Sequence, residues 1–291
     1  MAIRIAVVAD IHHGRDTATK RGSAALGLLD RFVDSVNAGN FDAVIDLGDR
    51  ISDANAEHDV VLQRDVAKGF RRLGNKPRHH AVGNHDIAHL SEADNSMMLG
   101  APVNTRAVMI GEHRVAFWQP DVSVSLERGL FLRDGDLDAL EALLGADERP
   151  TLLVTHVPLS GHAQTGNYYF ERNPGYASYA ETAEIRRVLA EAPCPLIALA
   201  GHVHWNTLTT VDGTPHLTLQ SLTETFTTGE PTGSTAVIEI DGDEFRFTVD
   251  GLDRLAVTLP WPKVKPRWRP PNRSFEELKA DPTSQYYKRP T

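Results

Sequence analysis

The sequence predicts a mixed α/β fold with an antiparallel second half, and three observations support this class. In the first half, apolar runs typical of buried strands alternate with segments of helical periodicity. In the second half, short strand-like runs come in pairs across Asp-Gly turns, which is typical of hairpins. Several apolar runs also end directly at Asp, Asn or His residues, so oxygen and nitrogen ligands follow successive strands.

The spacing of apolar residues assigns the elements in order. The first half predicts strands over 3–9, 41–47 and 78–82 and helices over 24–37 and 58–73. The middle predicts strands over 107–110, 114–119 and 151–155 and a helix over 136–144. A helix over 181–190, a strand over 196–200 and hairpins of 207–211 with 216–220 and of 236–240 with 244–249 follow. Between them, residues 158–178 lack periodicity and predict a long functional loop.

Composition excludes several classes of protein. The chain has 291 residues, of which 41% are hydrophobic and 24% charged, as in ordinary globular proteins. No apolar run approaches the roughly 20 residues of a membrane span, so we expect no membrane contact. The first strand runs directly into Asp10 and His12, so we expect no cleavable signal peptide. Cys194 is the only cysteine, which favours a cytoplasmic location.

Charge divides the chain into two parts. Residues 261–291 are basic and rich in proline, with a net charge of +5, whereas residues 1–260 carry −14. The acidic body disfavours long nucleic acid as a partner. We therefore predict a catalytic domain over 1–260 and an extended arm over 261–291. Because the arm contains Trp261 and Trp268, we expect it to pack on its own domain or on a twofold mate, which would make a homodimer.

Five short motifs carry the candidate chemistry. Each is weak alone, but together they supply carboxylate, amide and imidazole ligands at the ends of predicted strands, as a site for two metal ions requires. They are Asp10-Ile11-His12, Gly48-Asp49, Gly83-Asn84-His85-Asp86, Thr155-His156 and Gly201-His202-Val203-His204.

The order and spacing of these motifs resemble the calcineurin-like metallophosphoesterase superfamily, over most of the chain up to about Gly213. The resemblance implies a four-layer αββα sandwich, with two mixed sheets flanked by helices. It also implies one metal held by Asp10, His12, Asp49 and His204, and a second held by Asp49, Asn84, His156 and His202. A hydroxide between the two ions would attack phosphorus in line, and His85 would stabilise the developing charge or protonate the leaving group. The ligands suit Mn, Fe or Zn.

One position departs from the pattern of the superfamily. Many relatives carry an aspartate three residues after the bridging one, where it supports the catalytic histidine. Here Ser52 occupies that position and Asp53 follows it. Either Asp53 reaches across a longer turn, or Asp86 or another acid orients His85.

Substrate contacts are expected in the loops around the motifs. The segment 50–55, the long loop and the residues after His204 could line the opening of the site, and their aromatic side chains could stack on a base or pack against an organic group. Equally, those aromatics could cover the core. The candidate substrate residues are His13, Arg50, His162, Tyr168, Tyr169, Arg172 and Trp205.

The expected activity is phosphodiester hydrolysis on a small nucleotide-like or alcohol-phosphate ester, because a long aromatic loop offers room for a second organic group. The alternatives are a phosphomonoesterase and a pyrophosphatase of nucleotide-diphosphate compounds, both with the same machinery. A non-enzymatic scaffold of this fold would be expected to lack ligands, and all seven are present.

Overall fold

The structure is a computed structural model that describes residues 2–265 and 271–286. Within these residues the chain forms twelve strands and six α-helices. In chain order they are β1 Ile3–Val8, α1 Ala25–Ala38, β2 Ala43–Asp46, α2 Ala56–Arg71, β3 Arg78–His80, α3 Glu92–Leu99, β4 Arg106–Ile110, β5 His113–Phe117, α4 Asp136–Gly145, β6 Thr151–Val154, α5 Thr182–Glu191, β7 Leu196–Ala200, β8 Thr207–Val211, β9 Thr214–Thr218, β10 Thr235–Asp241, β11 Glu244–Asp250, β12 Leu255–Pro260 and α6 Phe275–Ala280.

The strands form two mixed sheets of six strands each. The first sheet has the order β12-β11-β10-β1-β2-β3, in which β1, β2 and β3 are parallel and β10 runs antiparallel to β1. The second has the order β4-β5-β6-β7-β9-β8, in which β5, β6, β7 and β9 are parallel. The parallel centre of each sheet therefore directs several carboxyl strand ends to one edge, where ligand sites form in α/β folds.

Because successive side chains of a strand face opposite sides of the sheet, the strands contribute to two apolar cores, one between the sheets and one against the helices. In β1, Ile3, Ile5 and Val7 join residues of the second sheet in one apolar cluster between the sheets. Their neighbours Ala6 and Val8 face the opposite way, into a cluster that contains the apolar faces of the helices. The helices pack in two groups, α1 with α2 and α2 with α3, and α4 with α5. This arrangement confirms the two mixed sheets flanked by helices.

Two elements were absent from the sequence prediction. Helix α3 begins with a capping box of Ser91 and Asp94, but it buries only Asn95 and Leu99, so no apolar periodicity marks it. Strand β12 is an edge strand whose inward residues are only half-buried, and it ends at Pro260. The sequence prediction missed both elements because their apolar patterns are weak.

The arm lies partly within the described residues. Trp261 is buried and stacks on Phe245 at 5.9 Å between ring centroids, with His113 at 5.6 Å. The beginning of the arm therefore packs on its own domain. Trp268 lies outside the described residues. No helix in the described part of the chain combines the length and apolar character that a membrane crossing requires.

Candidate metal centre

The predicted ligands follow the carboxyl ends of five parallel strands. Asp10 and His12 follow β1, Asp49 follows β2, and Asn84 follows β3 in the first sheet. In the second sheet, His156 follows β6, and the pair of His202 and His204 follows β7. The strand ends of both sheets meet, so the seven side chains lie close together.

The backbone at the ligands adopts a conformation that side chains other than glycine rarely take. Five of the ligands have positive φ, between +48° and +68°; among the other described non-glycine residues only Asp212 does. Each such residue costs of order 1–3 kcal/mol and persists only where its surroundings hold it. The five strained ligands are Asp10, His12, Asp49, His202 and His204.

Two glycines of the motifs are required by close approach to the carboxylates. A Cβ on Gly83 would lie 2.1 Å from Asp49 Oδ1, and a Cβ on Gly201 would lie 2.5 Å from Asp10 Oδ2. Any larger residue would push these oxygens out of position. The glycines thus let neighbouring loops close tightly around the ligands.

The first ligand cluster contains two carboxylates and two imidazoles. One ligand atom from each of Asp10, His12, Asp49 and His204 lies within 4.8 Å of the others. The Nε2 atoms of His12 and His204 are 2.9 Å apart, and His204 Nε2 lies 3.5 Å from Asp10 Oδ1. His204 Nδ1 donates to Glu224 Oε2 at 2.9 Å, which leaves the Nε2 lone pair directed into the cluster.

The second cluster shares Asp49 with the first. Asp49, His156 and His202 each place one ligand atom within 4.8 Å of the others, and Asn84 Oδ1 lies 3.3 Å from His156 Nε2. The other ring nitrogen of each imidazole donates a hydrogen bond to a backbone carbonyl. His156 Nδ1 donates to the carbonyl of Leu47 at 2.8 Å, and His202 Nε2 donates to the carbonyl of Tyr176 at 2.7 Å. The remaining nitrogen of each ring belongs to the cluster, and His156 Nε2 lies 3.4 Å from Oδ2 of Asp49, the residue that both clusters share.

The charged groups around the two clusters are compatible with bound metal cations. Within the described part of the chain, no Lys or Arg lies within ion-pair distance of Asp10 or Asp49. Burial opposes the charge on His156 and His204, but carboxylates outweigh it: Asp49 raises the pKa of His156 to about 9, and hydrogen bonds with Asp10 and Glu224 raise that of His204 to about 9. Burial instead lowers the pKa of His12 well below its usual value and that of His202 to about 3. Metal ions bound to the clusters would displace the protons of His156 and His204.

The structure shows that Asp53 is the acid that orients the His85 ring. His85 Nδ1 donates to Asp53 Oδ1, and this hydrogen bond lowers the pKa of Asp53. Asp53 therefore reaches across the longer turn. The carboxylate of Asp86 forms no hydrogen bond with the His85 side chain, so it does not orient the ring. It accepts hydrogen bonds from the backbone N–H groups of Asp49, Arg50 and Gly83, at 2.8–3.0 Å, and so holds the bridging ligand's turn in place.

Arg50 is also placed differently from its prediction. Its side chain is fully buried under the metal centre rather than at the opening. The guanidinium pairs with Asp46 Oδ2 at 2.7 Å and Asp86 Oδ2 at 2.9 Å, and it donates to Asn95 Oδ1 at 3.1 Å. A buried guanidinium is retained where two carboxylates pair with it, so Arg50 supports the loops and does not touch substrate.

A cavity of about 700 Å³ opens beside the two clusters. Its inner end contains ligands and His85, and its outer part is aromatic. Of the predicted substrate residues, it includes Tyr168 and Tyr169, which are 61% and 49% exposed. Other apolar or aromatic residues that line the cavity include Val124, Leu126, Phe170, Tyr176 and Phe226.

The remaining predicted substrate residues do not line the cavity. His13 faces Asp65, at 3.8 Å between Nε2 and Oδ2. His162 and Arg172 are exposed outside it. Trp205 donates from Nε1 to Gln164 Oε1 at 2.8 Å and so fastens the long loop. The same loop is fixed by Asn167, whose Nδ2 donates to the carbonyl of Val203 at 2.8 Å.

Three residues of the site were missing from the sequence prediction. Glu224 orients His204, Phe226 lies against Tyr168 with ring centroids 6.4 Å apart, and Lys20 lines the cavity with its Nζ 3.5 Å from His12 Nδ1. Glu224 and Phe226 follow β9, so the strand-end rule that located the ligands could have found them. No local pattern marks Lys20.

Comparisons with known proteins agree with this geometry. A family model described as calcineurin-like phosphoesterase matches residues 3–206. A dimetal phosphatase from Danio rerio has a similar structure, with a TM-score of 0.69, 15% identity and coverage of 89% of this chain and 99% of the other. The purple acid phosphatase PPD1 from yellow lupin (Lupinus luteus) seeds gives a TM-score of 0.63 at 13% identity, over 89% of this chain and 54% of the other. No curated protein matches significantly.

The sheets, the strand-end ligands and the two clusters define a dimetal phosphoesterase fold with residues that could bind two metal ions. The chain belongs to the calcineurin-like phosphoesterase family.

Proposed function

We propose that the protein is a metal-dependent phosphodiesterase that hydrolyses a small ester. The observation that carries the proposal is the position of the aromatic cavity, which opens beside the two ligand clusters and His85. Ligand clusters alone would serve a monoester equally well. A phosphodiester places a second organic group next to the phosphorus, and an apolar cavity of this size accommodates one.

Different residues of the chain have different roles in the proposed hydrolysis. When bound, two metal ions supply a water of lowered pKa and hold phosphate oxygens. Asp49 bridges the clusters and fixes their spacing, while Glu224, Leu47 and Tyr176 orient the imidazoles. The mixed carboxylate, amide and imidazole ligands suit Mn, Fe or Zn, and this choice belongs to the proposal.

His85 is the residue that handles the leaving group. Its backbone N–H donates to Asp49 Oδ1 at 2.9 Å, and its Nδ1 donates to Asp53. The first bond holds the backbone of His85 and the second orients its ring, so Nε2 is the nitrogen that exchanges a proton with the leaving oxygen in the cavity.

The proposal is tested with bis-p-nitrophenyl phosphate and p-nitrophenyl phosphate. We expect the Mn-loaded protein to contain two metal ions per chain and to show the higher kcat/KM for the diester. Asp49→Asn should lose metal and turnover together, because both clusters share this carboxylate. Asp250→Asn, which removes an exposed carboxylate at the end of β11, is the matched control.

Two outcomes would contradict the proposal. A preference for p-nitrophenyl phosphate would make the protein a phosphomonoesterase with the same residues. Absence of turnover of either compound in a sample with two metal ions per chain would refute hydrolysis of phosphoesters.

The proposal also includes a cytoplasmic location, consistent with the single, buried and unpaired Cys194.

A further inference from the structure

A second pair of histidine and aspartate lies next to the pair of His85 and Asp53. His89 Nδ1 donates to Asp59 Oδ2 at 2.8 Å. The Asp59 side chain is fully buried in the first turn of α2, whereas that of His89 is 37% exposed. Among the described residues, His89 is the only basic side chain within ion-pair distance of this carboxylate. Burial of a carboxylate costs free energy unless its oxygens are paired, so the partners of Asp59 indicate what it does.

The other oxygen of Asp59 holds the backbone beside Asp53. Asp59 Oδ1 accepts a hydrogen bond from the N–H of Ala54 at 2.8 Å. Ala54 lies between Asp53 and Asn55, whose side chain caps the first turn of α2. The buried carboxylate therefore fixes the end of the longer turn that follows the bridging Asp49, and so fixes the backbone from which the Asp53 side chain extends.

The two histidines belong to one helical segment. The chain forms a 3-10 helix over His85–Ile87, and Ala88 continues it with φ −56° and ψ −39°. Side chains four residues apart in a helical segment lie on the same side of it, as His85 and His89 do. The loops after β2 and β3 are therefore joined by two successive contacts, His85 with Asp53 and His89 with Asp59.

His89 also acts on Asp53 through its charge. The hydrogen bond from His85 lowers the pKa of Asp53 most, burial opposes this effect, and the positive form of His89 lowers the pKa further. Neither His89 nor Asp59 lines the cavity, whereas Asp53 and His85 both do. Any effect of the second pair on hydrolysis must therefore pass through the first.

We propose that Asp59 and His89 are positioning residues that hold Asp53 against His85. Asp59 fixes the backbone of the turn through Ala54, and His89 keeps the Asp59 carboxylate in place by donating to its second oxygen. Without Asp59, the turn is free to carry the Asp53 carboxylate away from His85, while the metal ligands keep their contacts. This proposal rests on the proposed function, since it concerns hydrolysis at the same site.

The first test is a double-mutant cycle on the hydrolysis of bis-p-nitrophenyl phosphate by the Mn-loaded protein. We expect Asp59→Ala to lower kcat roughly 10-fold at unchanged KM and metal content, because a displaced Asp53 orients His85 poorly. In the Asp53→Asn background the same substitution should change kcat by less than about 2-fold, since the contact that Asp59 positions is already lost. Asp59→Asn keeps an oxygen that accepts the Ala54 N–H, and it should restore most of kcat.

The matched control is Val66→Ala, which shortens a fully buried side chain of the same helix without removing a hydrogen bond to the turn. We expect it to lower the stability but not kcat, and urea unfolding shows whether each variant is folded under the assay conditions. If Asp59→Ala does not fold, His89→Leu takes its place in the cycle, because it removes a partly exposed side chain.

Three results would overturn the proposal. They are a wild-type kcat in Asp59→Ala, an equal decrease in the wild-type and Asp53→Asn backgrounds, and a decrease of the same size in Val66→Ala. The second and third would mean that Asp59 contributes only to the general stability of the fold.

Failure of the proposed function gives a different result. If the Mn-loaded wild type hydrolyses no phosphoester, hydrolysis is refuted, and proton NMR of the diamagnetic Zn-loaded protein then tests the positioning. The low-field imidazole N–H resonance that disappears in Asp53→Asn reports the contact with His85. We expect Asp59→Ala to shift or remove this resonance and Val66→Ala to retain it. An unchanged resonance in Asp59→Ala would contradict the positioning role.

Discussion

We expect Asp53 to influence the catalytic rate through its hydrogen bond with His85, although neither residue is a metal ligand. Asp53 accepts the Nδ1–H of His85, and the hydrogen bond keeps the pKa of Asp53 below its usual range, so the carboxylate stays charged. Asp53→Asn removes the charged acceptor that orients the ring. We expect kcat for bis-p-nitrophenyl phosphate to fall by roughly 10–100-fold.

The control for this prediction is Asp65→Asn, which removes the acid beside His13, away from the cavity. Metal content, measured by elemental analysis, should stay at the wild-type value in both variants, because neither residue is a ligand. The role of Asp53 would be rejected if both variants kept wild-type kcat, or if Asp53→Asn lost its metal.

Individual residues also show how far the sequence predicts the site. The seven candidate ligands were predictable because each lies in a short motif at a strand end, and three of the five motifs contain a glycine that close packing requires. Lys20 was not predictable, since it reaches the cavity through pairing of the segment 17–21 with a segment about 200 residues later. Arg50 was misplaced because the sequence gives no indication of which side of its turn is buried.

At the scale of elements, the loops after β2 and β3 depend on one buried ion-pair network. Arg50 joins Asp46 at the end of β2 to Asp86 after β3, and His80 Nδ1 donates to Asp46 Oδ2 at 2.8 Å. Asp86 in turn accepts the backbone N–H of Asp49 at 2.9 Å. The network therefore connects two strand ends to the position of the bridging ligand.

We expect Arg50→Met to destabilise the protein by about 3–5 kcal/mol, because it leaves two buried carboxylates without a cation. The matched control is Arg72→Met. Arg72 pairs with Asp30 and Asp34 on the exposed surface between α1 and α2, so its loss should cost about 0–1 kcal/mol. Urea unfolding of both variants measures the difference. Equal losses would show that the buried network does not hold these loops.

Elements differ in how well the sequence predicts them. Central strands such as β1 and β7 are buried along nearly their whole length, and their continuous apolar runs predicted them directly. Helix α3 and strand β12 lie at the margins of the fold and bury few side chains, so their periodicity is too weak to identify them. The sandwich itself was predicted only through the family resemblance, because apolar patterns do not specify which sheets stack.

At the scale of the whole molecule, stability should depend on pH through a histidine far from the ligands. His216 lies in β9, is 5% exposed, and has its pKa lowered to about 4 by burial. The neutral form is therefore favoured in the folded protein. Below the unfolded value of about 6.5, the unfolded chain binds a proton that the folded protein does not. The contribution is complete above pH 6.5 and is lost as pH falls toward 4.

The metal-free protein should consequently lose about 2 kcal/mol of folding free energy between pH 7.5 and pH 5 through His216 alone. Carboxylates with lowered pKa values, such as Glu224, act in the same direction but in a more acidic range. His216→Gln should flatten the pH dependence between 7.5 and 5 by that amount, whereas His162→Gln, which removes an exposed histidine, should leave the curve parallel to wild type. Urea unfolding at each pH gives the free energies. Parallel curves for His216→Gln and wild type would mean that burial of this ring does not couple protonation to folding.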